Sequence, residues 1–154
     1  MTTLKEGDKA PEIEGKDQHN ELITFDRFPG QKIILYFYPK DSTPGCTAEA
    51  CNLRDHYDEL RDMGFEIIGV SPDSEASHQK FIDKNNLPFR LIADPDKEIL
   101  NAYGVWGEKK MYGKVYKGVH RTTFIISEDR NIEKIFKKVK TKSHAEQIKE
   151  ALNS

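Results

Sequence analysis

Two mainly apolar runs, at residues 33–38 and 65–70, most constrain the fold of this chain. Neither run alternates apolar with polar residues, which is typical of a strand that is covered on both faces. A helical pattern follows each run, at about residues 43–63 and 75–85. Strands that alternate with helices predict an α/β fold, with a mixed central β-sheet flanked by helices and parallel strands at its centre.

Four further segments complete about the first three quarters of the chain. Residues 1–28 carry short apolar pairs between glycines and prolines, and they predict an N-terminal β-hairpin beside the main sheet. Residues 87–92 predict another strand, and residues 97–103 predict a short helix. Residues 104–118 are rich in glycine and lysine with interleaved aromatic residues, and we expect a solvated loop at residues 109–121.

The last part of the chain adds a hairpin and a helix. Residues 121–127 and 132–139 predict two antiparallel strands about a polar turn. Ser143 and Glu146 have the spacing of a capping box, which predicts that an amphipathic helix begins there. With neither a linker nor a repeat in the sequence, we expect residues 1–154 to form one domain, which is long enough to bury a sizeable core.

The only two cysteines, Cys46 and Cys51, lie where the first buried strand passes into the first helix. Thr43 is a good N-cap, and Pro44 suits the first helical position because the N–H that it lacks would be unpaired there. Cys46 then falls in the first turn, where unpaired N–H groups and the helix dipole favour a thiolate. Apolar residues follow Cys46 at helical spacing, so its side chain is expected to face inward.

The spacing of the two cysteines bears on whether they can form a disulfide. In a continuous helix, residues five apart have α-carbons about 8.7 Å apart. A disulfide needs less than about 7 Å. A resting bond between Cys46 and Cys51 is therefore disfavoured, whereas a transient bond that is coupled to local unfolding is compatible with the spacing.

The segment from Pro39 to Cys46 reads PKDSTPGC and resembles the P-x-x-x-[TS]-x-x-C signature of the peroxiredoxins. The continuation TAEAC, with SPDS after the second strand and LPF before the third, is similar to the peroxiredoxin Q subgroup, also called bacterioferritin comigratory protein. The likeness covers nearly the whole chain. It implies a thioredoxin-like fold of the peroxiredoxin type with an N-terminal extension.

The resemblance also implies a role for each residue that matches the family pattern. Cys46 would be the peroxidatic cysteine, and Cys51 the resolving cysteine that forms an intramolecular disulfide with it. Thioredoxin or a similar dithiol would reduce that disulfide. Thr43 would hydrogen-bond the peroxide, Pro39 would shield the pocket from water, and Arg121 would lie beside the thiolate. The resemblance further implies a monomer.

Two features near this pattern leave questions open at the level of sequence. The turn at residues 128–131 lacks the glycine that the family leads us to expect. Glu49 fits either a charge network with an arginine or a solvent-facing acid in the first helical turn. A thiol–disulfide oxidoreductase and a redox sensor are the alternative functions, and the absence of a C-x-x-C motif counts against the first of these.

Composition and charge argue against several other classes of protein. The net charge of −2 gives no reason to expect nucleic acid or a membrane surface as partner, although residues 109–121 interleave basic and aromatic residues. No apolar run approaches 18 residues and no leader is visible, which favours the cytoplasm. The five histidines are scattered without metal-ligand spacing, so we expect neither a metal nor another cofactor.

Overall fold

The computed structural model describes residues 2–153. Its strands are β1 Gly15–Lys16, β2 Leu22–Ile23, β3 Lys32–Phe37, β4 Phe65–Ser71, β5 Arg90–Ala93, β6 Trp106–Met111, β7 Lys114–Val119, β8 Thr122–Ile126 and β9 Ile132–Phe136. Its α-helices are α1 Pro44–Asp55, α2 Tyr57–Asp62, α3 Glu75–Asn85, α4 Glu98–Ala102 and α5 His144–Leu152. Short 3-10 turns lie at Phe25–Arg27 and Thr141–Ser143. None of the helices in this range is long and apolar enough to cross a membrane.

Seven strands form one sheet in the order β2-β1-β5-β4-β3-β8-β9. The central strands β3, β4 and β5 run parallel to one another, while β8 and β9 add an antiparallel hairpin beyond β3. The N-terminal hairpin joins the opposite side, where Lys16 of β1 pairs antiparallel with Ala93 of β5. The predicted mixed α/β sheet and its N-terminal hairpin are thereby confirmed.

The sheet separates two apolar layers, because successive side chains of a strand point to opposite faces. The α1 layer holds side chains from α1, α2, α3 and α5, and its members include Ile34, Tyr36, Cys46, Ala50, Leu53, Leu60, Ile67, Phe81, Ile125, Ala145 and Ile148. The α4 layer holds side chains from α4 and the N-terminal segments, and its members include Ile13, Phe25, Ile33, Leu35, Phe37, Ile68, Val70, Ile99, Leu100 and Phe124. Covering on both faces explains why these strands are mainly apolar and lack alternation with polar residues.

A glycine in β4 makes room for an aromatic side chain of β3. Tyr36 pairs with Gly69 in the parallel register. A β-carbon at position 69 would lie 2.8 Å from the ring of Tyr36 and 2.7 Å from Leu91, which is closer than real contacts allow. Glycine at this position therefore allows Tyr36 to lie across β4 and stack on Tyr38 at a ring separation of 5.4 Å.

The helix predicted over residues 43–63 is interrupted, so its continuity was wrong. At His56 the backbone leaves helical geometry, and its N–H bonds to the carbonyl of Leu53, three residues back. The break separates α1 from α2 and allows Tyr57 to donate to Glu66 at 2.9 Å. Gly64, with φ of +95°, follows the end of α2 as the predicted stop.

The loop predicted at residues 109–121 lies largely within a two-stranded hairpin, β6 and β7, instead. Tyr112 and Gly113 both have positive φ, 53° and 78°, as a two-residue type I′ turn requires. The hairpin forms a separate sheet, and its tip residues Met111, Tyr112 and Val115 are exposed. Because neither face is apolar along its length, the sequence lacks the alternation that predicts a strand.

The start of α5 and the turn between β8 and β9 differ from what the sequence patterns predict. Ser143 precedes α5 but makes no side-chain capping bond, so the predicted capping box was wrong. The N–H of Ala145 instead bonds to Oδ1 of Asn52 at 2.7 Å. In the turn without glycine, Arg130 takes φ of +66°, and its guanidinium donates to the carbonyls of Gln31 and Phe28 at 2.7 and 2.6 Å. These bonds offset the cost of the left-handed conformation.

Candidate active site

Cys46 lies in the first turn of α1, close to the carboxyl end of β3. Thr43 occupies the N-cap position with extended backbone, and Pro44 is the first helical residue, as predicted. The hydroxyl of Thr43 does not cap the helix, however, because it donates to the carbonyl of Lys40 at 2.8 Å. The first N–H groups of α1 are therefore free of a side-chain cap beside Cys46.

The sulfur of Cys46 is buried and bonded to an arginine from another element. Cys46 is only 1% exposed, which confirms the predicted inward orientation of its side chain. Nη2 of Arg121, the residue just before β8, donates to Sγ at 3.2 Å. Burial disfavours the charge of this guanidinium, but Glu49 and Cys46 raise the pKa of Arg121, so it stays positive. A fixed positive charge at the sulfur favours a thiolate.

Glu49 belongs to the same network, so it pairs with an arginine and is not a solvent-facing acid. Its side chain is fully buried, and Oε1 accepts from Nη1 of Arg121 at 2.6 Å. Burial raises the pKa of Glu49 to about 7, against the opposing effect of Arg121. No donor among residues 2–153 hydrogen-bonds its Oε2, and Nε2 of His144 lies 3.7 Å from that atom.

His144, at the start of α5, is a buried neutral ring next to the side chain of Glu49. Burial lowers the pKa of His144 to about 4. Its Nδ1 donates to Oε1 of Gln147 at 2.9 Å, and its Nε2 accepts from the hydroxyl of Thr123 at 2.8 Å. The amide of Gln147 is oriented by a second bond, from Nε2 to the carbonyl of Lys138. Sequence reasoning missed this histidine, which reads there as part of a capping box.

A second buried network holds the loop between β3 and α1. Asp41 accepts from the hydroxyls of Tyr38 and Ser77 at 2.6 and 2.8 Å, and from Nδ1 of His78 at 2.7 Å. Nε2 of His78 faces the carbonyl of Ile92 at 3.0 Å. Both ring nitrogens therefore face acceptors, and the ring is held between the loop and β5. The sequence analysis singled out neither Asp41 nor this use of His78.

Asp41, Asp73 and His78 are also close enough to be considered as metal ligands. Their ligand atoms lie within 4.8 Å of one another. These groups are already engaged with the protein, because Oδ2 of Asp73 accepts from the N–H of Asp41 and from the hydroxyl of Ser71, both at 2.8 Å. The arrangement serves to fix the loop that carries Thr43, and it provides an internal partner for each charge.

The other two predicted site residues, Cys51 and Pro39, lie on either side of Cys46 in the sequence. Cys51 is half-buried in α1, and its thiol points to Oδ1 of Asn85 at 3.7 Å. Both cysteines are free thiols in one continuous helix, which puts their α-carbons about 8.7 Å apart. Pro39 is half-buried just beyond β3. The structure thus joins Cys46 directly to Arg121, and through it to Glu49, while Cys51 is held apart.

Comparison with known proteins agrees with this architecture. A model of the AhpC/TSA family matches residues 6–135. Peroxiredoxin Bcp of Bacillus subtilis is 45% identical over 152 residues, covering 99% of this chain and 95% of that protein. Peroxiredoxin Bcp of Escherichia coli is 44% identical over 144 residues, covering 94% and 92%.

Solved structures of similar proteins share the thioredoxin-like peroxiredoxin fold. A cysteine-to-serine mutant of Xanthomonas campestris peroxiredoxin Q has a TM-score of 0.85 and 36% identity, over 92% of this chain and 90% of that one. A PrxQ mutant from Xylella fastidiosa has a TM-score of 0.91 and 29% identity, over 99% and 98%. The chain therefore belongs to the AhpC/TSA family of peroxiredoxins, within its Bcp or peroxiredoxin Q group. It is accordingly a peroxidase, an oxidoreductase that acts on peroxides.

Proposed function

We propose that Cys46 is the peroxidatic nucleophile for hydrogen peroxide and organic hydroperoxides. The single observation that carries this proposal is the 3.2 Å bond from Arg121 to the buried sulfur at a helix start. The thiolate attacks one peroxide oxygen, so that an S–O bond forms and the O–O bond breaks. The sulfur becomes a sulfenic acid, and the leaving hydroxide or alkoxide takes a proton to give water or an alcohol.

Three neighbours support this step in our proposal. Arg121 stabilises the thiolate and the negative charge that develops on the leaving oxygen. The proton of Thr43 is directed at the carbonyl of Lys40, so its oxygen presents lone pairs that can accept from the O–H of a peroxide. Pro39 closes the pocket against water at the end of β3. Each of these roles matches the position that the residue takes around the start of α1.

We propose that Cys51 resolves the sulfenic acid. Its thiol attacks the sulfur of Cys46, an S–S bond forms, the S–O bond breaks, and the hydroxide leaves with the thiol proton as water. Because the α-carbons are about 8.7 Å apart in an intact helix, α1 must unwind locally before the sulfurs can meet. A dithiol protein such as thioredoxin then reduces the disulfide and is itself oxidised to a disulfide.

We also infer that the enzyme acts as a monomer and a single domain in the cytoplasm, without a bound cofactor. The family resemblance supports the monomer. Light scattering of the reduced and the oxidised protein at several concentrations tests the oligomeric state. A mass of one chain throughout is expected, and a stable dimer in either state would contradict this part of the proposal.

The whole cycle is tested by adding one equivalent of hydrogen peroxide to the reduced protein. Intact mass, thiol titration and peptide mapping should then find a disulfide between Cys46 and Cys51, and thioredoxin should restore both thiols. Cys46→Ser should abolish peroxide consumption. Cys51→Ser should consume one equivalent and stop at the sulfenic acid. Two unreacted thiols in the unsubstituted protein would refute the assignment of Cys46, and unchanged turnover of Cys51→Ser would refute that of Cys51.

A further inference from the structure

We infer that the side chain of Asn52 ties the active-site helix α1 to the first turn of α5 and thereby slows the step that joins Cys46 to Cys51. The inference rests on the proposed disulfide step. It assigns a positioning residue to that step, and Asn52 has no bond to the sulfur of Cys46 or to Arg121 in the described structure.

The contact replaces the cap that the sequence of α5 predicts. Oδ1 of Asn52 accepts from the N–H of Ala145 at 2.7 Å, and Nδ2 donates to Oε1 of Glu146 at 3.2 Å. Ala145 is the second residue of α5 and is fully buried, so its N–H has no partner within its own helix. Ser143 supplies no capping bond. A side chain 93 positions away therefore satisfies this buried donor.

The neighbouring residues extend the same tie along the helices. Oε1 of Glu146 also lies 2.6 Å from Nε2 of His56, at the junction of α1 and α2. Farther along α5, Lys149 donates to Glu59 of α2 at 2.9 Å. Asn52 is the member of this set next to Cys51, and it is the one that bonds to a buried backbone group.

Unwinding up to Cys51 must disturb Asn52. In a regular helix the N–H of residue 52 bonds to the carbonyl of residue 48, which lies between the two cysteines. When that stretch unwinds, the backbone of Asn52 loses its support and its side chain leaves Ala145. The buried N–H of Ala145 is then unpaired, and leaving such a donor unsatisfied is costly. The tie therefore adds to the barrier for disulfide formation.

The tie also bears on damage by excess peroxide. A sulfenic acid that waits for Cys51 can react with a second peroxide, which adds an oxygen to the sulfur and releases water or an alcohol. The product is a sulfinic acid. Slower unwinding gives this side reaction more time, so Asn52 sets the balance between resolution and overoxidation. Reaction of the thiolate with the first peroxide does not require unwinding and is independent of Asn52.

The test compares Asn52→Ala with Asn101→Ala, a control at an exposed helical asparagine in α4. Rapid quenching and mass spectrometry follow the sulfenic acid, the disulfide and the sulfinic acid after a peroxide pulse. Asn52→Ala should form the disulfide about fivefold faster, the factor expected for one net hydrogen bond. At a given peroxide concentration its ratio of sulfinic acid to disulfide should fall by about the same factor. The first oxidation should keep its rate, and Asn101→Ala should match the unsubstituted protein in every step.

A second variant and a second measurement separate the tie from a general loss of stability. Glu146→Ala removes the bond from Asn52 and the contact with His56, and it should speed disulfide formation about twofold. Combined with Asn52→Ala it should add less than it does alone, because the two changes share the contact between Asn52 and Glu146. Amide exchange in α5, at the N–H of Ala145, should be faster in the disulfide form than in the reduced form. Equal exchange in the two forms would overturn the inference.

The outcomes distinguish this inference from the proposed function. If the unsubstituted protein forms no disulfide between Cys46 and Cys51, the proposed cycle fails and the inference with it. If the disulfide forms but Asn52→Ala resolves at an unchanged or lower rate, only the role of Asn52 is refuted.

Discussion

Cys46 and Cys51 share one helix, yet their surroundings differ in kind. Cys46 is buried and receives a charged donor at 3.2 Å from Arg121, which is itself bonded to the buried Glu49. Cys51 is half-buried, and within residues 2–153 its thiol contacts the side-chain oxygen of Asn85 at 3.7 Å. A thiol is a weak hydrogen-bond donor, so this second contact contributes little.

In the cycle that we propose, the two sulfurs place opposite demands on the protein. A nucleophile needs fixed charges around it before the substrate arrives. A sulfur that must change partners needs neighbours that it can leave at low cost. Around Cys46 the structure supplies the first condition with groups from α1, the start of β8 and, behind them, α5. Around Cys51 it supplies the second.

The largest expected effect comes from removing the charge at Cys46. Arg121→Gln should slow the reaction of Cys46 with peroxide about 100- to 1000-fold, the range found when one donor to a developing oxyanion is lost. Stopped-flow measurement of the first oxidation checks this. Arg54→Gln is the control, because Arg54 contacts Asp55 and Asn85 but not Cys46.

Adding Glu49→Gln to Arg121→Gln separates stability from rate. The double variant should recover stability, since no buried carboxylate is left without its arginine. Its reaction with peroxide should stay slow. Recovery of the rate as well would show that Arg121 acts through stability alone.

A smaller but still large effect is expected for the loop that precedes the nucleophile. Asp41→Ala should lower the free energy of unfolding by about 3 kcal/mol, because it removes the acceptor of the buried hydroxyl of Tyr38 and of the buried ring of His78. Denaturant unfolding of the reduced protein measures this change. Asp73, which bonds the backbone of Asp41 and is less deeply buried, should cost less when replaced by alanine. The reverse order would contradict the importance of the buried hydrogen bonds to Asp41.

The pH dependence of stability offers a finer test of the Cys46 side. Burial raises the pKa of Glu49 from 4.5 to about 7, so this group stabilises the folded protein at low pH and the contribution is lost as the pH rises through 7. Burial lowers the pKa of His144 from 6.5 to about 4, so its contribution is present above pH 6.5 and is lost as the pH falls towards 4. Between pH 4.5 and 6.5 the two effects oppose each other.

Single substitutions should therefore reveal opposite slopes relative to the unsubstituted protein. Glu49→Gln should lose stability as the pH falls from about 6.5 to 4.5, because only the effect of His144 is left. His144→Asn should lose stability as the pH rises over the same window. Each difference approaches about 1.4 kcal/mol per pH unit, the limit for one proton. Thermal unfolding across the window measures both, and slopes of equal sign would contradict the opposition.

The smallest effect is expected on the Cys51 side. Asn85→Ala removes the contact to the thiol of Cys51 and one bond to the carbonyl of Phe81. The rate of disulfide formation should stay within about twofold of the unsubstituted protein, because the contact to sulfur is weak. Rapid quenching with mass spectrometry measures it. A change of tenfold or more would mean that Asn85 fixes Cys51 and that the two sulfurs are held in more similar ways than we describe.

The parts that the sequence predicts are those that depend on neighbours along the chain. The apolar run of β3, proline at the start of α1 and the inward direction of Cys46 all follow from local patterns. The type I′ turn at Tyr112 and Gly113 was also local, but without an apolar face its strands read as a loop. The break at His56 has no such signal, because contacts from β4 and α5 accompany it.

The parts that the sequence does not predict are assembled from distant segments. Glu49 and Arg121 are bonded across 72 positions, and Asn52 and Ala145 across 93. The pattern at Ser143 predicts a cap from a neighbour along the chain, whereas the N–H of Ala145 bonds to Asn52 of another helix. Arg130 likewise replaces an expected glycine because carbonyls of another segment receive its guanidinium. Local sequence propensity depends only on neighbouring residues, whereas these hydrogen bonds depend on which distant segments the fold brings into contact.

The division of the core by the sheet has a consequence for how the molecule can open and close. The helix that bears both cysteines contributes buried side chains to the α1 layer, while the side chains of the α4 layer come from other segments. If α1 unwinds as we propose, only one side of the sheet is uncovered, and the opposite side keeps the strands in register. Such a partition makes a sub-global opening cheaper than complete unfolding. The protein can then pass through a partly disordered state in every cycle and recover the same fold.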